Sequence, residues 1–210
     1  MILDPAMWEY LSGLEPDPDP LLAEMRAHGD RDHIPIVEDV TGGLLELLAA
    51  SSAAKRAVEV GTAIGVSTLH LARGGAHVTS FEVDPERHEQ ATRYLTRDGR
   101  AEQVDLRLQD ATEGLAELEG GFDLGFIDGP KAGYTTWLDQ VVGLLRPGGL
   151  LVADNVLMGG GAATGAATNQ WSVESIAGIR EFNAGLKARD DLLVTILPVG
   201  DGVALGVRLS

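Results

Sequence analysis

FDLGFIDGPKAGYTTWLDQVVGLLRPGGLLVADN, residues 122–155, is the stretch that decides the fold. Phe122–Ile127 is an apolar run of strand length ending in Asp128, with Lys131 just beyond it. Tyr134–Leu145 carries helical periodicity, Pro147-Gly148-Gly149 reads as a turn, and a second apolar run ends in Asp154-Asn155. Strand, helix and strand in that order predict parallel strands joined by a crossover. Two strands then deliver two carboxylates, a carboxamide and an amine to their C-terminal ends, the edge where ligands bind in an open α/β sheet.

Outward from this stretch the same alternation continues. Ala57–Val60, His77–Val83 and Val104–Leu108 read as strands, separated by helices over Val66–Arg73 and Glu86–Asp98 and followed by a short one around Glu113–Leu118. Downstream come a helix over Val173–Lys187, a strand Leu192–Pro198, a turn at Gly200-Asp201-Gly202 and a last strand Val203–Leu209. The expected fold is α/β: a Rossmann-like sandwich, mostly parallel, with helices on both faces. The tight Gly-Asp-Gly turn makes the C-terminal pair antiparallel.

The N-terminal part reads as a helical cover. Asp4-Pro5 is a helix start with Met7, Trp8 and Leu11 on one face, and the prolines of residues 15–20 break the chain. Leu21–His28 is a second short helix, and Thr41 opens a third with Leu44, Leu45, Leu47 and Leu48. At 210 residues one domain suffices, with cover over 1–52 and core over 53–210. No internal repeat is visible. Residues 158–171, rich in glycine and alanine, are either a linker or a mobile loop over a site.

Bulk properties exclude several classes. The formal net charge of −16 argues against a nucleic-acid partner and suits divalent cations. With no cysteine there is no disulfide, zinc-thiolate site or cysteine nucleophile. The N-terminus lacks a signal-peptide pattern and no apolar run reaches the length of a membrane span, so a soluble, cytoplasmic protein with no membrane partner is expected.

Between the first strand and its helix lies Glu59-Val-Gly61-Thr-Ala-Ile-Gly65-Val-Ser67. Glycines there let backbone approach a ligand, and a helix N-terminus favours an anionic group. The spacing lacks the third glycine of the dinucleotide fingerprint, which disfavours a nicotinamide oxidoreductase. The second strand ends near Glu82, where a carboxylate can accept from a ribose diol, and Asp110 lies at the same edge after the third. Asp128, Asp154 and Asn155 offer three hard oxygens suited to Mg²⁺, although strand-end Asp and Asn also cap helices. Lys131 is either a solvated surface lysine or, in a closed pocket, a base with a lowered pKa. His28, His33, His70, His77 and His88 show no ligand spacing. Trp137 and Trp171 are candidates to wall a substrate site, and Trp137, inside a helix pattern, reads as packing.

Glu59-x-Gly61-x-x-x-Gly65, the acidic end of the second strand and Asp110-Ala111 resemble the class I S-adenosylmethionine-dependent methyltransferases. Phe126-Ile-Asp128-Gly-Pro-Lys131-Ala-Gly-Tyr134, Arg146-Pro-Gly-Gly149-Leu-Leu-Val-Ala-Asp154-Asn155, Phe182-Asn183 and Leu197-Pro-Val-Gly-Asp-Gly202 narrow the resemblance to the metal-dependent O-methyltransferases, the catechol and caffeoyl-CoA type. The resemblance implies S-adenosylmethionine bound by Val37, Glu59, Gly61, Thr62, Gly65, Ser67, Glu82, Asp110, Ala111 and Asp128. It implies Mg²⁺, or another divalent cation, on Asp128, Asp154 and Asn155, with Lys131 as catalytic base. The implied acceptor is a small hydroxylated aromatic with vicinal hydroxyls, and the implied assembly a homodimer, for which the apolar face of the N-terminal helices is a candidate surface. One departure is Pro130, where the family carries an aspartate associated with substrate contact. An RNA nucleoside hydroxyl as acceptor, and a non-catalytic cofactor-binding module, are the alternatives. Intact Asp128, Lys131, Asp154 and Asn155 weigh against the module.

Overall fold

The computed structural model describes residues 5–14 and 19–210. The expected helix start at Asp4, the break over residues 15–18 and the side chains of Trp8 and Leu11 lie outside the described residues. The cover consists of α1 (Pro5–Ser12), α2 (Pro20–Asp32) and α3 (Asp39–Ser51). Helix α2 starts where Asp19 accepts from the Leu22 amide at 2.8 Å and Pro20 takes the first turn, and it outruns its expected end at His28.

Then come β1 (Arg56–Val60), α4 (Val66–Arg73), β2 (His77–Glu82), α5 (Pro85–Arg97), β3 (Val104–Leu108) and α6 (Ala111–Ala116). They are followed by β4 (Phe122–Ile127), α7 (Tyr134–Leu144), β5 (Leu145–Ala153), α8 (Gly161–Thr164), α9 (Val173–Ala188), β6 (Leu192–Leu197) and β7 (Val203–Arg208). Among the described residues the strands form one sheet in the order β3-β2-β1-β4-β5-β7-β6. β7 runs antiparallel to both neighbours, and the remaining pairs are parallel. The expected fold class is the observed one.

Each sheet face has its own apolar cluster. On one, α7 and α9 supply Tyr134, Trp137, Leu138, Ile179 and Phe182 over Val58, Val60, Ile127 and Leu151. On the other, α2 to α5 supply Met25, Leu45, Leu69 and Leu95 over Ala57, Leu124, Phe126 and Val152. Successive strand residues point to opposite faces, so a strand covered on both sides is apolar throughout, as Leu124–Ile127 is.

Two local expectations are corrected. Pro147-Gly148-Gly149 does not separate helix from strand: it lies within β5, where the pairing with β4 shifts register between Phe122 and Leu124. Gly148, at φ +78°, absorbs the irregularity without a Cβ clash. Residues 158–171 are no featureless linker, since they form a 3₁₀ turn over Met158–Gly160 and the one-turn helix α8. No helix among the described residues is long and apolar enough to cross a membrane.

Candidate active site

Register brings the predicted residues together. Val60 of β1 pairs with Ile127 of β4, and Ile127 with Ala153 of β5. The residues just past those ends, Gly61, Asp128 and Asp154, therefore stand side by side. Backbone bonds hold them there: the Asp128 amide donates to the Val60 carbonyl at 2.9 Å, and the Asp154 amide to the Ile127 carbonyl at 3.1 Å. Gly61 has φ +93°, and a Cβ on it would lie 1.9 Å from the Asp128 carbonyl oxygen. Only glycine lets β1 leave the sheet this close to β4.

Lys131 is not a surface lysine; only 6% of it is exposed. Its ammonium donates to the Asn155 Oδ1 at 2.7 Å and to the Tyr134 hydroxyl at 2.6 Å, with Asp128 Oδ1 at 3.4 Å. The Tyr134 hydroxyl donates in turn to the Asp154 carbonyl at 3.0 Å. Burial pulls the Lys131 pKa below its ordinary value, against the opposing pull of Asp128 and Asp154. Burial also keeps the Tyr134 hydroxyl protonated well above its usual range. Tyr134 was not singled out for this contact, although its position one helical turn beyond Lys131 is a usable signal.

Asp154 caps no helix. Its Oδ1 accepts from the Asn155 amide at 2.7 Å, closing a turn in which Asn155 holds φ +58°. Burial, and next the Asp128 carboxylate, raise its pKa to about 7. Burial likewise raises Asp128, opposed chiefly by Lys131, and the Asp128 side chain stays 24% exposed. Among the described residues no group of three or more His, Cys, Asp or Glu is placed to hold a metal. The mixed set of two carboxylates and a carboxamide nevertheless fits a hard divalent cation: every donor is oxygen, and the repulsion from Asp128 that helps raise the Asp154 pKa is what a cation would relieve.

Several of the predicted cofactor residues lie at or beside the β1–α4 turn. Gly61 and Thr62 donate their amides to the Phe81 carbonyl, both at 3.2 Å, and Gly65, at φ +91°, opens α4 ahead of the buried Ser67. Glu82 accepts from the amides of Ala63, Val83 and Asp84 at 2.8 to 2.9 Å, tying the end of β2 to the glycine turn. Asp110 caps α6 through the Thr112 amide at 2.8 Å, and Ala111 begins that helix. Val37 lies in the lead-in to α3, buried, its carbonyl accepting from Arg26 at 3.2 Å. Glu59 faces inward: it is fully buried, and its Oε2 accepts from Thr68 and, at 2.6 Å, from Ser80. Its Oε1 has no hydrogen-bond partner. Nothing in the local sequence distinguishes this interior knot from a ligand contact.

A family model described as O-methyltransferase matches residues 16–209. The chain is 36% identical over 178 residues to a catechol O-methyltransferase of Niastella koreensis, across 79% of each protein. It is 38% identical over 149 residues to a catechol O-methyltransferase of Mycobacterium tuberculosis, across 68% of each. The solved structure of the O-methyltransferase from Bacillus cereus in complex with SAH superposes with a TM-score of 0.85 at 27% identity, across 97% of both chains.

Proposed function

The chain belongs to the O-methyltransferase family, and from that premise we propose that it transfers the methyl group of S-adenosylmethionine to one hydroxyl of a small aromatic acceptor carrying vicinal hydroxyls. The observation that carries this reading is the position of Lys131: buried, one amine beside Asp128, Asn155 and Tyr134 at the sheet edge. Asp128, Asp154 and Asn155 would hold a divalent cation, Mg²⁺ or similar. Support for the cofactor comes from the glycine turn and from the SAH-bound relative.

When bound, the sulfonium would supply an electrophilic methyl group, and the cation would acidify the acceptor hydroxyl. Lys131 Nζ, in its neutral form, would accept that hydroxyl proton, leaving the acceptor oxygen its electron pair for the methyl group and S-adenosylhomocysteine as the other product. Tyr134 keeps Nζ in place, accepting from it while anchored on the Asp154 carbonyl. Ser67 and the Gly61–Gly65 turn would hold the amino-acid end of the cofactor, Glu82 its ribose, and Asp110-Ala111 would lie toward the adenine. The chain's part is therefore orientation plus one proton transfer.

A homodimer belongs to the same reading. Beside α3, the β5-β7-β6 face carries an apolar depression of about 460 Å³ lined by residues such as Leu48, Leu150, Leu193, Leu205 and Val207, with no charged side chain in its lining. Two chains of −16 each meet with least repulsion on an uncharged face.

The test is methyl transfer to a panel of catechol-bearing acceptors, with Mg²⁺ and with chelator, read by mass spectrometry. Methylated catechol only in the presence of the cation is expected. Transfer that ignores the chelator removes the metal from the reading, and inertness toward all vicinal diols removes the acceptor class.

A further inference from the structure

We propose that Trp171 determines acceptor specificity, its indole forming the wall against which a planar acceptor ring lies. This rests on Lys131 being the group that receives the acceptor proton. Past Met158, the segment leading to α9 offers one large side chain. Residues 159–170 are only Gly, Ala, Thr, Asn and Gln, and Trp171 is the one aromatic that follows them before α9. The indole ring lies with its centroid 5.2 Å from Lys131 Nζ. An acceptor hydroxyl within about 3 Å of Nζ is thus within about 8 Å of the indole, and a ring attached to that hydroxyl reaches the indole face.

The ring is held rather than free. Asp201, in the β6–β7 turn, accepts from the Trp171 Nε1 at 2.5 Å and from the Gly159 amide with its other oxygen. One carboxylate therefore pins both ends of the segment to the sheet. The Trp171 amide also bonds the Thr168 hydroxyl at 3.1 Å, and its carbonyl accepts from the Thr168 amide at 3.0 Å. A wall fixed before the acceptor arrives costs no ordering on binding. The residue is half-buried and packs against the apolar cluster.

Trp137 does not compete for the role. It is buried beneath Gly129 and Gly133, where an added Cβ would come within 2.9 and 2.4 Å of its ring, and its Nε1 donates to Thr112 Oγ1 at 3.1 Å. Its indole is committed to the core.

The experiment uses the full chain and catechol as probe, with Trp171→Phe and Trp171→Ala alongside the wild type. Replacing the wall by alanine should raise the catechol KM about tenfold, the scale of one aromatic contact, while the S-adenosylmethionine KM moves less than twofold. Trp171→Phe keeps an aromatic face and should hold the catechol KM within about threefold. Catechol added to wild type loaded with SAH and Mg²⁺ should quench tryptophan emission, and that quench should vanish in Trp171→Phe, which retains Trp8 and Trp137. An unchanged catechol KM in Trp171→Ala, or a quench that survives in Trp171→Phe, overturns the proposal. If Trp171→Ala fails to fold, the quench in wild type and Trp171→Phe decides alone. Wild type that turns over catechol while both variants match it sinks the wall and leaves the proposed function standing. Wild type inert toward catechol and every other vicinal diol of the panel, and unquenched by them, sinks both.

Discussion

At Lys131 two effects oppose each other. Burial disfavours the ammonium, while Asp128 and Asp154 favour it, so the amine is poised to change charge where a surface lysine is not. Lys131→Met keeps the chain length and removes the base. It should lower kcat by about 10²- to 10⁴-fold while SAH affinity, measured by calorimetry, stays within about threefold; undiminished turnover would remove Lys131 from the chemistry. Glu59 poses a different question. Burial is the chief cause that lifts its pKa from 4.5 to about 7, against the pull of its hydroxyl neighbours. The folded state therefore binds this proton more tightly than the unfolded chain does. Its contribution to stability is fully present below pH 4.5 and is lost as pH rises through 7. The difference corresponds to roughly 3 kcal/mol. Glu59→Gln carries no such proton, so its stability relative to wild type should climb by up to that amount between pH 4 and 8 in urea unfolding of the ligand-free protein. Parallel pH profiles would show that folding leaves the Glu59 pKa unshifted.

At the scale of elements, the crossing of the β1–α4 turn over the end of β4 sets the edge on which everything else stands. Gly61 in that turn and Gly75 between α4 and β2 separate strain from crowding. Both have positive φ, +93° and +104°, but a Cβ on Gly61 strikes the Asp128 carbonyl whereas one on Gly75 meets nothing within 4 Å. Gly75→Ala should cost about 1–2 kcal/mol, the left-handed penalty alone. Gly61→Ala should cost clearly more and weaken SAH binding, because backbone rather than a side chain must yield. Thermal unfolding and SAH titration of the two variants check this, and equal costs would mean that the turn gives way easily. Strand and helix identities were legible here from periodicity. The run of β5 through Pro147-Gly148-Gly149 was not, because a proline-glycine pair signals a turn locally and only the pairing of the flanking Leu145 and Leu150 with β4 carries the strand across it.

For the whole molecule, charge and shape meet on the β5-β7-β6 face. A chain of −16 should resist self-association everywhere except where charge is absent. Light scattering should find a dimer, strengthened by salt as the remaining repulsion is screened. Leu193→Asp, a change at a residue already 67% exposed, should yield monomer without loss of fold. A wild-type monomer at all salt concentrations would end the homodimer reading. This face also differs from the surface expected on the N-terminal helices, of which α2 and α3 turn Met25 and Leu45 into the core.

The residues themselves determined the alternation of strands and helices, the edge at which Asp128, Lys131, Asp154 and Asn155 emerge, and the resemblance that the family match bears out. Those are local signals: hydrophobic period, turn chemistry and short spacings survive in the linear chain. Tertiary structure alone decided that Lys131 is buried against Asn155, that Glu59 faces an interior knot of hydroxyls, and that Asp201 pins Trp171 beside the amine. Each of those contacts joins separate elements, and its distance is fixed by how α7, α9 and the β6–β7 turn pack on the sheet, which no spacing in the chain encodes.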